Sequence, residues 1–165
     1  MTQTEILTLL PFTLVAASAM LVILVDLAWP RRDGAVMAVG LGGLLVALVA
    51  SLVIGPLPGG LGLLTEPGTI GEPSIYTLDL FTVLIDVALI LVGLLTLLFA
   101  PDYLAPRKLP LAEFTATLLF AVSGGMLIAG GQDLLILFLG LELMVLPGYL
   151  LAGFAKRDGL STEGA

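Results

Sequence analysis

The feature that most constrains this chain is its succession of apolar runs, each about twenty residues long and separated by short polar breaks. A helix needs about twenty apolar residues to cross a hydrocarbon layer of roughly 30 Å. Every backbone amide and carbonyl inside that layer must also be satisfied within the protein, which favours helices. Five such runs are readable, at residues 6–28, 35–54, 77–99, 111–130 and 134–154. The composition agrees: 59% of residues are hydrophobic and 12% charged, and the mean hydropathy is +1.17. A water-soluble domain carries about 25% charged residues. The expected fold is therefore an all-α integral membrane protein with five transmembrane helices in a lipid bilayer.

The charges orient these spans. All six cations fall in three pairs, Arg31–Arg32, Arg107–Lys108 and Lys156–Arg157, which follow the first, third and fifth runs. With five spans, the three pairs share one face of the membrane. Positively charged loops stay on the cytoplasmic side, so the N-terminus is expected outside and the C-terminus in the cytoplasm. Trp29 and Pro30 beside the first pair read as an interfacial anchor and a helix stop. The first run resembles a signal peptide at Ala17-Ser18-Ala19. However, no basic residue precedes it, and the run continues nine residues further, so it reads as a retained span.

Between the second and third runs, residues 55–76 form a Gly/Pro-rich outer loop, where Pro56, Pro58, Pro67 and Pro73 forbid a continuous helix. Between the fourth and fifth runs only Gly130-Gly131-Gln132-Asp133 intervene, so those helices are expected as antiparallel neighbours, with Asp133 capping the fifth. Gly43, Ala47 and Ser51 make a small-residue face on the second run, as Ser123-Gly124-Gly125 does on the fourth, and both read as helix-packing surfaces. Domain organisation follows: residues 1–110 hold three leading helices with the outer loop, and residues 111–165 open a further unit of two helices and a tail. In that tail Ser161-Thr162-Glu163 resembles a helix start, and with the sequence ending at Ala165 the expectation is a truncated protein.

Several chemistries are excluded within the chain. It has no cysteine and no histidine, which removes thiolate, iron–sulfur and ordinary zinc sites. Thirteen acids against six bases give a net charge of −7, so there is no footing for nucleic acid. No phosphate-cradling glycine loop follows a strand pattern. Chemistry must come from carboxyl groups, and an acid in the middle of a span is costly enough to mark a pathway or a partner. Asp26 and Glu113 lie within reach of an interface and read as structural, and Asp79 opens its helix where an acid suits the dipole. Asp86 lies nine residues into the third run, about 14 Å deep. From there a short side chain needs water, a polar partner or a proton. Glu142 is the leading candidate, central in Leu139-Gly140-Leu141-Glu142-Leu143. Pro147 removes a helical partner from the Leu143 carbonyl, and Gly148 loosens the helix further, so a kink is expected beside the acid. Glu142 is expected either to relay protons or to remain a neutral acid bonded to neighbouring backbone. No span contains an internal Lys, Arg or His to pair with it, which points to an incomplete protein or an obligate subunit.

The stretch from Asp133-Leu134-Leu135 through Leu139-Gly140-Leu141-Glu142-Leu143 to Leu146-Pro147-Gly148-Tyr149 resembles the antiporter-like subunit N of proton-translocating NADH–quinone oxidoreductase, respiratory complex I. Lys156-Arg157-Asp158, Ser161-Thr162-Glu163, Glu113-Phe114 and Asp79 fit the same pattern, which covers the first third of a full subunit. The resemblance implies that Glu142 takes the place of the family's glutamate in its fifth transmembrane helix, paired there with a lysine on a later helix and driving proton movement. It offers no counterpart for Asp86. It also implies a multi-pass protein of the inner (plasma) membrane, partnered by other membrane subunits of an NADH-oxidising, quinone-reducing translocase. The FMN, iron–sulfur clusters and quinone of that complex are implied for the parent assembly, and no cofactor or metal is expected in this chain. Multisubunit cation/proton antiporters and membrane-bound hydrogenases share the outline of the motif. A non-transporting scaffold or an inactive truncated product is the alternative from another class.

Overall fold

The computed structural model describes residues 3–30, 32–55 and 76–152. The Gly/Pro-rich loop from Pro56 onward, Arg31, the Lys156–Arg157 pair and the expected helix start at Ser161-Thr162-Glu163 lie outside the described residues. The helices are α1 (Gln3–Thr8), α2 (Leu10–Ala28), α3 (Asp33–Ile54), α4 (Leu80–Leu104), α5 (Leu111–Gly130) and α6 (Leu134–Ala152), with a single 3-10 turn at Ala105–Arg107. Five of them, α2 to α6, are long and apolar enough to cross a membrane, as expected.

The boundaries depart from hydropathy where proline or a cap decides. The first run does not form one helix. Pro11 has no amide hydrogen and its ring crowds the carbonyl four residues back, so the chain turns at Leu9 and α2 starts again with the proline in its first turn. The third run begins three residues late, because Asp79 stands outside the helix as its N-cap. Its Oδ1 accepts the Thr82 amide at 2.8 Å. At the other end α4 continues through Pro101 to Leu104, which is buried. The last described helix, α6, likewise runs unbroken through Pro147 and Gly148. Asp133 occupies the N-cap position of α6, its carbonyl accepting the Leu137 amide at 3.0 Å. The expected cap through its carboxyl is not formed, since that group bonds to no described residue.

Successive spans run antiparallel, and α5 lies at the centre, touching α2, α3, α4 and α6. This explains why its residues are the most enclosed: Thr115, Leu119, Ser123 and Met126 have no exposed surface. The surrounding core is Val15, Ala19 and Val22 of α2, Leu44 and Ala47 of α3, and Ile90 and Leu97 of α4. The small-residue face on α3 serves packing: Gly43 lies directly against Ser18 of α2. By contrast α6 packs chiefly on α5 and shows apolar side chains such as Leu135, Phe138, Leu141 and Tyr149 over the rest of its surface. A helix that is apolar all round is shielded by lipid or by other protein. Arg32, Arg107 and Lys108 stand at one end of the bundle, and Gly55, Tyr76 and Gly131 at the other.

Candidate functional site

Two acids inside spans carry the site, and the fold separates them. Asp86 lies six residues beyond the start of α4, about 9 Å along the helix. Glu142 lies eight residues beyond the start of α6, about 12 Å along. Both helices start from the Tyr76 end, so the acids sit at similar depth, Asp86 within the bundle and Glu142 at its edge. Asp86 is shallower than its position in the hydropathy run suggested, because the capped helix begins at Leu80.

The setting of Glu142 follows from how α6 meets α5. A side chain on Gly124 would reach the Met144 nitrogen at 2.6 Å and the Gly140 oxygen at 2.8 Å, and one on Gly140 would reach the Gly124 oxygen at 3.0 Å. The two backbones therefore touch at this glycine pair, an approach that only the smallest residue permits. Gly140 and Pro147, seven residues apart, are the buried positions of α6. Each residue turns a helix by about 100°, so Glu142 lies about 200° round from Gly140, on the flank turned away from α5. Its side chain is half-buried and has no hydrogen bond or ion pair with any other described residue. Neither Lys nor Arg stands within reach in the five helices, as the cation positions foretold.

Asp86 is enclosed completely, with 0% of its surface exposed and neither carboxyl oxygen hydrogen-bonded. Nearer the start of α4 lies a clasp that the sequence reading missed. The Tyr76 hydroxyl donates to the Met126 carbonyl at 3.3 Å, and the Thr82 hydroxyl donates to the Ala129 carbonyl at 3.3 Å. The Thr77 amide donates to the Gly130 carbonyl at 2.8 Å, and Gln132 Nε2 to the Thr77 hydroxyl at 2.9 Å. Gly130 lies flat against the Tyr76 ring, where any side chain would collide. Two of these bonds use carbonyls left free at the end of α5, those of Ala129 and Gly130, which a helix terminus must satisfy somewhere. Burial pushes the Tyr76 phenol well above its ordinary range, and the nearby Asp86 and Asp79 carboxyls add to it. The signal was present in sequence: the two glycines that open the four-residue turn, Gly130 and Gly131, leave room for a ring from the preceding loop. Asp26 is half-buried and Glu113 exposed, each in a terminal turn, in keeping with structural roles.

No group of three or more metal-ligating side chains converges among the described residues. The arrangement can hold protons on two isolated carboxyls and can offer Glu142 to a partner beyond α6.

No protein-family model matches the chain. Curated relatives do. NAD(P)H-quinone oxidoreductase subunit 2 of Thermosynechococcus vestitus is 32% identical over 162 residues, 96% of this chain and 29% of that protein. NADH-quinone oxidoreductase subunit N 1 of Sorangium cellulosum is 37% identical over 135 residues, 82% of this chain and 26% of that protein. Subunit N of Magnetococcus marinus is 33% identical over 159 residues, 95% of this chain and 31% of that protein. Over most of its length, then, the chain is similar to subunit N of NADH-quinone oxidoreductase and subunit 2 of NAD(P)H-quinone oxidoreductase, and it spans about 30% of the length of these relatives.

Proposed function

We propose that this chain is part of a membrane subunit of a proton-translocating quinone oxidoreductase, and that it carries one acid of the proton path, Glu142. The observation that carries this reading is the isolation of that acid. Glu142 is half-buried on the flank of α6 that faces away from α5, without a partner among the described residues, in a chain similar to subunit N. An ionised carboxylate in that position is stabilised by a cation, and a neutral one by loss of the cation's charge. A lysine supplied by a helix docked against this flank would make such an acid switchable. Redox chemistry lies elsewhere in the assembly than in this stretch, which has neither cysteine nor histidine to hold a cluster.

In this reading the Arg32 and Arg107–Lys108 end faces the cytoplasm and the Tyr76 end faces outward, as the positive-inside rule requires. The host is the inner (plasma) membrane, and the partners are other membrane subunits and the lipid around α2, α4 and α6. The test is Glu142→Gln in a complete subunit assembled with its complex. Proton pumping per quinone reduced should fall while the complex still assembles. Unchanged pumping removes Glu142 from the path.

A further inference from the structure

The packing of α3, α4 and α5 brings a second polar group to Asp86. Gly55, just past α3, lies against Val83 of α4, Leu44 of α3 against Gly93, and Gly40 of α3 against Leu97. These pairs belong to one antiparallel register, and that register sets Ser51 opposite Asp86. Gly40 also meets Thr115 of α5, while Gly125 of α5 meets Leu89 and Val122 meets Gly93. The α3–α5 relation places Met126 level with Ser51, and the α4–α5 relation places Ile128 and Ala129 level with Asp86, so Ser51, Asp86 and, within a turn of them, Met126 stand where three helices join. All three are fully enclosed, at 0% exposure. The Ser51 hydroxyl and both Asp86 oxygens are also the buried side-chain polar atoms without a hydrogen bond among the described residues. Enclosed polar atoms are nearly always paired, with protein or with ordered water, so three orphans at one level require a common explanation.

We propose that Asp86 and Ser51 form a buried proton-binding site, in which Asp86 is the neutral acid and one internal water joins its carboxyl to the Ser51 hydroxyl. Charge at the junction favours a proton over any other cation. On α4 the ionisable groups are Asp86, Asp102 and Tyr103, with Tyr76 and the N-cap Asp79 just before it. The neighbouring elements add Asp33 in α3 and Glu113 in α5, both at the opposite end of the bundle, Asp26 at that same far end of α2, and Glu5 in α1. Among the described residues no Lys or Arg lies near, so an ionised Asp86 would stand uncompensated. A hard metal ion asks for about six oxygens or more. The side chains here supply three, and the helix carbonyls are engaged in helical bonds. A proton needs a single acceptor, and a water between the two side chains would use all the orphaned atoms. The clasp of Tyr76 and Thr82 on the Met126 and Ala129 carbonyls closes the junction toward the nearer end.

This site rests on the junction alone and holds whether or not the chain serves a quinone oxidoreductase. Infrared spectra of the 165-residue chain in lipid bilayers, in H2O and in D2O, test it. At neutral pH the spectrum should contain a protonated-carboxyl C=O band that Asp86→Asn abolishes and Glu142→Gln leaves in place. Ser51→Ala should keep that band and move it to higher frequency, as its hydrogen bonding weakens. Should Asp86→Asn fail to fold, the Ser51→Ala shift carries the test. Loss of an ionised-carboxylate band in Asp86→Asn, or a band indifferent to Ser51→Ala, would overturn the proposal.

Discussion

The contact between Gly124 and α6 sets up a sharp test of how the last helix is held. In Gly124→Ala the new methyl would lie 2.6 Å from the Met144 nitrogen and 2.8 Å from both the Gly140 oxygen and the Leu143 carbonyl carbon. Ordinary contacts begin at about 3.5 Å, so α6 must withdraw by roughly 0.7–0.9 Å. The atoms it meets are backbone, which cannot swing aside as a side chain can. A gap of that size forfeits a quarter to a half of each neighbouring dispersion contact. Inside a membrane no hydrophobic force between helices makes up the loss, because lipid is as apolar as leucine. Overpacking of this kind costs about 1–3 kcal/mol. Taking about 2 kcal/mol, the population of undocked α6 should rise roughly thirtyfold. The chain has no cysteine of its own, so a single Ile128→Cys in the α5–α6 contact reports undocking through its labelling rate in micelles. Gly148→Ala provides the control, because nothing lies within 4 Å of a side chain there. Equal labelling in Gly124→Ala and Gly148→Ala would refute the argument that backbone contact at Gly124 holds α6.

Two further outcomes follow from the Tyr76 end. Asp79→Ala removes the acceptor of the Thr82 amide and should cost about 1 kcal/mol, read as faster hydrogen exchange in the first turn of α4, with Asp79→Asn close to wild type. The Tyr76 phenol is held above its ordinary range, so the folded state binds its proton more tightly than the unfolded chain does. The stability this confers is present at neutral pH and is lost as pH rises past about 10, the unfolded value. Unfolding titrations should therefore show an alkaline loss that Tyr76→Phe diminishes.

Hydropathy and charge spacing carried the architecture a long way, for a physical reason. A span must be long and apolar whatever it packs against, so its existence is written locally. The bounds of α5, residues 111–130, came out as expected for that reason. Local signals also misled. Hydropathy does not register that Pro11 lacks a donor, so the break at Leu9 was invisible to it. It also ended the third run at Phe99, although α4 continues past Pro101 to place Leu104 in the core. Sites are written less locally. Asp86 and Glu142 could both be singled out, because an acid in an apolar run is conspicuous. That Ser51 faces Asp86 depends on the register of two helices joined through a long loop, and nothing in either helix alone reveals it. The outward turn of Glu142 was within reach, since Gly140 and Pro147 share one face of α6.

The central place of α5 has a consequence for how the protein is made. It leaves the ribosome after α2, α3 and α4, yet it contacts each of the other four described spans. Until it arrives, α2, α3 and α4 can pair only along their own edges, and Asp86 and Ser51 look into a cleft open to lipid. Entry of α5 seals that cleft in one step, and the Tyr76 clasp latches onto its closing turn. Burial of the junction is thus a late event in biogenesis, so the water trapped beside Asp86 would be captured at assembly and not drawn in afterwards.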